Sequence, residues 1–117
     1  IVFVNKKDML DPVLGAIRTE CGILSAESYG DRSSRKQLDS ILSSFRCRGG
    51  DCHLLVATQV LGRGLDIPEI RLVLNFDLPV RLPDYVHRIG RAGRGVQEGF
   101  SWTLLEKHDL AKARELV

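Results

Sequence analysis

Short apolar runs alternate with amphipathic segments along most of the chain. Residues 1–4 form a continuous β-branched and aromatic run, which is typical of a strand buried on both faces. Apolar residues then recur at helical spacing over 13–21, after Asp11 and Pro12, which suit an N-cap and a first helical residue. Further strands are predicted at 23–29, 52–57, 71–76 and 99–105, and further helices start after Ser33 or Ser34, at Pro83 and at His108.

This alternation predicts the fold class. Strands that alternate with helices require crossover connections, so we expect an α/β domain whose mainly parallel sheet carries helices on both faces. A length of 117 residues suits one such domain. Ligands of open parallel sheets bind at the carboxyl ends of the strands. We therefore expect the functional loops to follow Phe3, Tyr29, Ala57, Phe76 and Leu105.

Overall charge and cysteine content narrow the possible functions only slightly. The 17 Lys and Arg residues against 15 Asp and Glu give +2, which does not by itself indicate a nucleic-acid partner. No apolar run approaches the roughly 20 residues of a membrane helix, so we expect no membrane association. The 3 cysteines form no C-x-x-C pair, which favours free thiols in a reducing compartment over a zinc site.

Basic residues are concentrated in one glycine-rich segment. Arg88, Arg91 and Arg94 recur every three residues, so on a helical turn they would share one face. Arginine suits phosphate because it is always charged and makes paired hydrogen bonds, and the interleaved glycines let a ligand approach the backbone. Three exposed arginines would repel one another, so we expect an anion to neutralise them. The alternative is a solvated basic helix end.

Two strand–loop junctions carry further candidate residues. Thr58 follows a predicted strand, where its hydroxyl can hold phosphate or sugar oxygens. Asp66, in the same loop, can accept hydrogen bonds from ribose hydroxyls or merely cap the turn before Pro68. Arg32 and Arg35 stand near a predicted helix N-terminus, which attracts anions, although a solvated helix start explains them equally well.

Taken in order, these segments resemble the C-terminal RecA-like domain of DEAD-box ATP-dependent RNA helicases, which belong to superfamily 2. Residues 1–5 are similar to motif IV, residues 57–68 to motif V and residues 85–94 to motif VI. Residues 73–79 are similar to the strand end that lies between motifs V and VI in the family. The likeness covers essentially the whole chain. It implies a RecA-like three-layer sandwich over residues 1–117.

The resemblance also implies a role for each matching residue. Arg91 and Arg94 would be the catalytic residues, reaching the ATP γ-phosphate across an interdomain cleft, and Asp66 and Gly64 would complete the ATP-binding set. The residues that would bind RNA are Thr58, Gly30, Asn5, Arg32 and Arg35. The residues that would couple the two domains are His87, Arg88 and Arg63.

The implied protein is larger than this chain. No Gly-x-x-x-x-Gly-Lys-Ser/Thr occurs here, so we expect the P-loop and the DEAD carboxylates on an N-terminal RecA-like domain that precedes residue 1. The expected cofactor is ATP with Mg²⁺, the metal being held mainly by that domain. The expected partners are RNA, the N-terminal domain and regulatory proteins. We also expect an intracellular location, in the nucleus or the cytoplasm, and essentially no ATP hydrolysis by this domain alone.

Some positions depart from the family pattern. Ser34-x-x-Gln37 replaces the usual Gln-x-x-Arg, and Gln59 replaces the usual Asp of motif V, whereas Arg91 and Arg94 are kept. The ATP-facing residues therefore match the family better than the RNA-facing residues do. Two alternatives stay open: a non-catalytic nucleic-acid or protein-docking module that kept the fold, and a DNA-directed helicase of the same superfamily.

Overall fold

One sheet of five parallel strands organises the computed structural model, which describes residues 1–29, 35–46, 52–58, 70–93 and 96–116. The strand order across the sheet is β2-β3-β1-β4-β5, so the first strand of the chain is the central one. Every described pairing is parallel, which confirms the predicted sheet. The strands are β1 (Val2–Phe3), β2 (Ala26–Tyr29), β3 (Leu54–Ala57), β4 (Leu72–Asn75) and β5 (Phe100–Thr103).

Helices connect the strands, as parallel pairing requires. The α-helices are α1 (Leu10–Thr19), α2 (Arg35–Arg46), α3 (Leu82–Ile89) and α4 (Leu110–Ala113). Short 3-10 turns cover Lys7–Met9, Lys107–Asp109 and Arg114–Leu116. The start of α3 follows from its sequence, because Arg81 before it is extended and Pro83 lies in its first turn, where the missing N–H breaks no helical hydrogen bond.

Alternation along the central strand builds two cores. Val2 and Val4 point to the face that α1 covers, whereas Phe3 points to the opposite face, against Leu42 of α2. Burying a side chain of the size of Phe3 stabilises the fold by about 2 kcal/mol. Since a helix closes each core, β1 is buried on both faces and the sheet carries helices on both sides, as predicted.

Some element ends differ from the prediction by a few residues. The strand β2 begins at Ala26 because the Ala26 N–H donates to the Ile23 carbonyl (3.4 Å) in a turn after Gly22, whose φ is +69°. The last predicted helix is instead the four-residue α4 between two 3-10 turns, the first of which is held by a capping box of Glu106 and Asp109. The residues predicted to cap α2 lie outside the described part of the chain.

One edge of the sheet leaves apolar side chains in contact with solvent. Phe100 and Trp102 of β5 pair with Leu72 and Leu74, so they lie on the side of the sheet that α1 covers at its centre. Both aromatic side chains are exposed because no described helix reaches them. Within the described ranges, no helix has the length and apolar character that crossing a membrane requires.

The two described cysteines are free thiols, as predicted. Cys21 is exposed, whereas Cys52 is buried beside the start of β3. Burial raises the pKa of the Cys52 thiol, with a further contribution from the nearby Glu27 carboxylate. The thiol therefore stays protonated and packs as a small apolar side chain.

Candidate functional site

The central strands β1 and β4 frame a crevice at the carboxyl edge of the sheet. The chain leaves β1 toward α1 on one face and leaves β4 toward α3 on the other, where the Arg88 guanidinium lies 5.3 Å from the centre of the Phe3 ring. Where the loops after two adjacent strands run to opposite faces of the sheet, a crevice forms between them, and open α/β sheets bind ligands there. The polar residues that follow these two strands are Asn5 and Asp77.

Arg88 joins the two sides of this crevice. Its Nη2 donates to Asn5 Oδ1 (2.8 Å) and its Nη1 donates to the Asp77 carbonyl (3.3 Å). The same Nη1 lies 3.9 Å from Asp77 Oδ1. Burial lowers the pKa of Arg88, and the carboxylates of Asp77 and Asp84 offset part of that shift. The guanidinium is therefore a buried cation whose partners come from the loops after β1 and β4.

This burial corrects one expectation from the sequence. Arg88 is only 2% exposed, so it is not one of three exposed arginines on a common face. The helix α3 ends at Ile89, which places Arg88 inside the helix and Arg91 in the turn beyond it. A carboxylate of the chain itself, that of Asp77, lies beside the Arg88 guanidinium.

Asn5, a predicted RNA contact, uses its amide within the protein. Its Nδ2 donates to the Leu78 carbonyl (2.9 Å), while its Oδ1 accepts from Arg88. Its backbone N–H donates to Asp77 Oδ2 (3.1 Å). The side chain thus bridges the loop after β1 to the loop after β4.

Thr58 lies at the end of β3, on the same edge of the sheet. The residue is 4% exposed, and its Oγ1 has no hydrogen-bond partner among the described residues. A buried hydroxyl without a partner costs about 1–3 kcal/mol. Among the described residues, the edge where the sequence predicts an RNA contact therefore holds a buried hydroxyl without a partner.

The Arg91 turn lies at the opposite edge of the sheet. The helix α3 has 8 residues and the strand β4 has 4, so both are about 12–13 Å long and the helix returns the chain to the amino edge. There the Gly93 N–H donates to the carbonyl of Ile70, just before β4 (3.1 Å), and Ala92 packs on the core. The Arg91 turn therefore lies at the edge opposite the five loops in which the sheet pattern predicts functional residues.

A close backbone approach fixes this turn. Gly93 has a φ of +66°, in the left-handed region that favours glycine, and a Cβ there would lie 2.7 Å from Gly99 N. A Cβ on Gly99 would in turn lie 2.7 Å from Gly93 Cα and 2.5 Å from the Ala92 carbonyl carbon. The Arg91 N–H donates to the Arg88 carbonyl (3.1 Å), so the turn is anchored at both ends. Arg91 itself is partly exposed on this anchored turn.

The other predicted residues divide into described and undescribed ones. Arg35 is exposed at the start of α2, and His87 is exposed on α3. Neither belongs to the Arg88 network. The predicted residues outside the described part of the chain are Gly30, Arg32, Arg63, Gly64, Asp66 and Arg94.

Sequence reasoning missed the role of Asp77. Asp77 directly follows a predicted strand and precedes Arg88 by 11 residues in the sequence. Whether the two side chains meet depends on how α3 packs against the sheet, which the sequence pattern does not give. The close backbone contact between Gly93 and Gly99 was missed as well, although Gly93 precedes and Gly99 begins the predicted strand that contains β5. The signal that could have identified Asp77 is its negative charge just after the end of β4, opposite the positive charge of Arg88 near the end of the helix that follows.

The described residues include an arginine suited to an anion and no arrangement typical of a metal site. Among them, no group of three or more His, Cys, Asp or Glu side chains is arranged as a metal site. Arg91 is partly exposed, and a guanidinium is suited to the planar, paired hydrogen bonding of a phosphate. The Arg91 side chain therefore fits a phosphate group, the chemistry that the sequence predicts for it.

Comparison with known proteins decides the family. The model of the helicase conserved C-terminal domain matches residues 1–96. The chain belongs to this family. This helicase C-terminal domain is also 44% identical to the ATP-dependent RNA helicase DBP2 of Encephalitozoon cuniculi, over 100% of the chain but only 23% of the relative.

Solved structures show the same fold. The helicase C-terminal domain is similar to the RNA helicase Prp28 from Chaetomium thermophilum bound to ADP, with a TM-score of 0.84 and 36% identity, over 98% of this chain and 28% of that one. It is also similar to Mss116p DEAD-box helicase domain 2 bound to an RNA duplex, with a TM-score of 0.87 and 28% identity, over 98% of this chain and 44% of that one. The resemblance to DEAD-box C-terminal domains and the RecA-like fold are thereby confirmed.

Proposed function

We propose that this helicase C-terminal domain is the second RecA-like half of an ATP-dependent RNA helicase that unwinds or remodels RNA. In this proposal Arg91 and Arg94 act as arginine fingers, and the carboxyl edge near Thr58 binds the RNA backbone. The observation that carries the proposal is the Arg91 turn, whose backbone is hydrogen-bonded at both ends and whose arginine is partly exposed. The full-length relative named an ATP-dependent RNA helicase supports it.

The proposed mechanism depends on closure of the two halves. Bound ATP with Mg²⁺ supplies the reactive phosphate, and the N-terminal domain would hold most of it. A guanidinium on the second half stabilises the charge of the transition state only when the cleft closes, so Arg91 contributes at the chemical step. Contacts to sugars and phosphates are independent of base sequence, so RNA of any sequence would favour closure. ATP and RNA should therefore each tighten the binding of the other.

The test is RNA-stimulated ATP hydrolysis by the full-length protein. We expect Arg91→Ala or Arg94→Ala to lower kcat by roughly 10³–10⁵, the range typical of arginine fingers, because the transition-state charge loses its partner. Arg114→Ala is the matched control, since Arg114 is an exposed arginine on the last 3-10 turn. A full-length protein whose RNA-stimulated turnover survives both finger substitutions would contradict the proposal.

The second candidate function is a non-catalytic docking module. It is favoured by Gln37, an exposed residue on α2 at the position where the family usually has arginine. A docking module binds RNA or a protein without any stimulation of ATP hydrolysis.

Replacing RNA by DNA of the same sequence in the same assay tests the remaining alternative, a DNA-directed helicase.

A further inference from the structure

We infer that Asn5 and Asp77 are positioning residues that orient the Arg91 turn through Arg88. This inference rests on the proposed function of the Arg91 turn. It gives Asn5 and Asp77 a role in a side-chain relay between the two edges of the sheet, in which only Arg88 is fully buried. The relay consists of Asn5, Asp77 and Arg88, and these three residues are called the relay below.

The first step is that the Asn5 amide makes a hydrogen bond within the protein at each of its ends. Both ends of the amide are used, with Nδ2 on the Leu78 carbonyl (2.9 Å) and Oδ1 on Arg88 Nη2 (2.8 Å). Arg88 also donates to the Asp77 carbonyl (3.3 Å), so Asn5 shares the guanidinium with the loop after β4. The geometry therefore assigns Asn5 to holding Arg88.

The second step is that Arg88 is held from two loops at once. The Asp77 carbonyl accepts from Nη1 (3.3 Å), and Asp77 Oδ1 supplies a negative charge 3.9 Å away. Asp77 Oδ2 accepts from the Asn5 N–H (3.1 Å), so the two partners of Arg88 also hold each other. A buried cation is costly to leave without its partners, so a shift of either loop must move Arg88 with it.

The third step is that Arg88 reaches both edges of the sheet. Its guanidinium lies with the loops at the carboxyl edge, while its own carbonyl accepts from the Arg91 N–H (3.1 Å) at the start of the turn. The turn is fixed at its far end by the bond from Gly93 to Ile70. Displacement of Arg88 therefore changes the angle at which Arg91 leaves the helix. The relay thus connects the edge that would bind RNA to the turn that would reach ATP.

This geometry predicts a specific kinetic signature. A residue that orients a finger affects the transition state, so its loss lowers kcat and leaves the RNA concentration for half-maximal stimulation unchanged. An RNA contact behaves in the opposite way, because its loss raises that RNA concentration. A misplacement of about 1 Å at a catalytic group can lower the rate as much as 100-fold. We expect a loss of about 10-fold, since Asp77 still holds Arg88 when Asn5 is changed.

The experiment measures RNA-stimulated ATP hydrolysis by the full-length protein carrying Asn5→Ala or Asp77→Asn, at a temperature where thermal unfolding shows every variant to be folded. Asp8→Asn is the matched control, because Asp8 is an exposed carboxylate in the 3-10 turn that follows the same loop. We expect each relay variant to lose about 10-fold in kcat with the half-maximal RNA concentration within about twofold of wild type. Asp77→Asn gives an independent result if Asn5→Ala fails to fold.

A double-mutant cycle with Arg91→Ala completes the test. If Asn5 acts through the Arg91 turn, Asn5→Ala should cost almost nothing once Arg91 is gone. Additive losses, or a raised half-maximal RNA concentration with unchanged kcat, would overturn the relay while leaving the proposed function intact. A wild-type protein with no RNA-stimulated hydrolysis would instead reject the proposed function.

Discussion

The two edges of the sheet are held together in different ways. At the carboxyl edge, side chains make the connections, with Arg88 joining Asn5 and Asp77 across the loops after β1 and β4. At the amino edge the backbone makes them, through the Gly93–Ile70 hydrogen bond and the close approach of Gly93 to Gly99. A side-chain network can be altered one group at a time, whereas a close backbone contact leaves no room for an added Cβ.

This difference matches what each edge would have to do. A loop that responds to RNA needs connections that can re-form around a new partner, and side-chain hydrogen bonds allow this. A guanidinium that must meet a transition state needs a fixed backbone, because small errors in position reduce its effect. The comparison leads to three substitutions whose effects should decrease from the amino edge to the carboxyl edge.

The largest effect is expected for Gly99→Ala at the amino edge. The new Cβ would lie 2.5 Å from the Ala92 carbonyl carbon and 2.7 Å from Gly93 Cα, and neither backbone atom can rotate away. Overpacking of this kind against backbone should lower the free energy of unfolding by about 3 kcal/mol. Urea denaturation followed by circular dichroism measures the loss.

Gly15→Ala is the control for this substitution. Gly15 lies in α1 with no atom within 4 Å of the position of an added Cβ. Alanine in a helix is about 1 kcal/mol more favourable than glycine, so this variant should be more stable than wild type. If Gly99→Ala proved as stable as wild type, the amino edge would not be fixed by its backbone.

A smaller effect is expected for Arg88→Met at the carboxyl edge. Methionine keeps much of the buried length but leaves Asn5 Oδ1 and the Asp77 carbonyl without their donor. The free energy of unfolding should fall by about 2 kcal/mol, because Asp77 is one-third exposed and water can solvate part of what remains. Thermal unfolding measures the loss. Arg114→Met, the same change at an exposed arginine, is the control that isolates the contribution of the Arg88 network. Equal stability of the two variants would show that the relay does not hold the crevice.

The sequence predicted the two-sided sheet well because that prediction depends on local pattern. An uninterrupted apolar run at residues 1–4 has no polar face, so the strand had to be covered on both sides. The site was harder to predict, because Arg88 and Asn5 are 83 positions apart and only the packed fold brings them together. The amino-edge position of Arg91 depends on the matching lengths of α3 and β4, which are set by where α3 stops.

The smallest effect on stability is expected for Thr58→Val, at the end of β3. Because Thr58 Oγ1 has no described partner, valine loses no described hydrogen bond and no longer buries a hydroxyl. The free energy of unfolding should stay within about 0.5 kcal/mol of wild type or rise slightly. Under the proposed function, the same variant should need several-fold more RNA for half-maximal stimulation.

Thr103→Val separates a used hydroxyl from an unused one. Thr103 Oγ1 accepts from the Nδ2 of the fully buried Asn75 (3.0 Å), so its loss leaves a buried donor without a partner and should cost about 1 kcal/mol. If both valine variants lost stability equally, the Thr58 hydroxyl would be bonded within the domain and not kept for a ligand. If only Thr103→Val lost stability, the Thr58 hydroxyl would not contribute to the stability of the domain. A buried hydroxyl that does not stabilise the fold is expected where ligand binding, and not folding, selects the side chain.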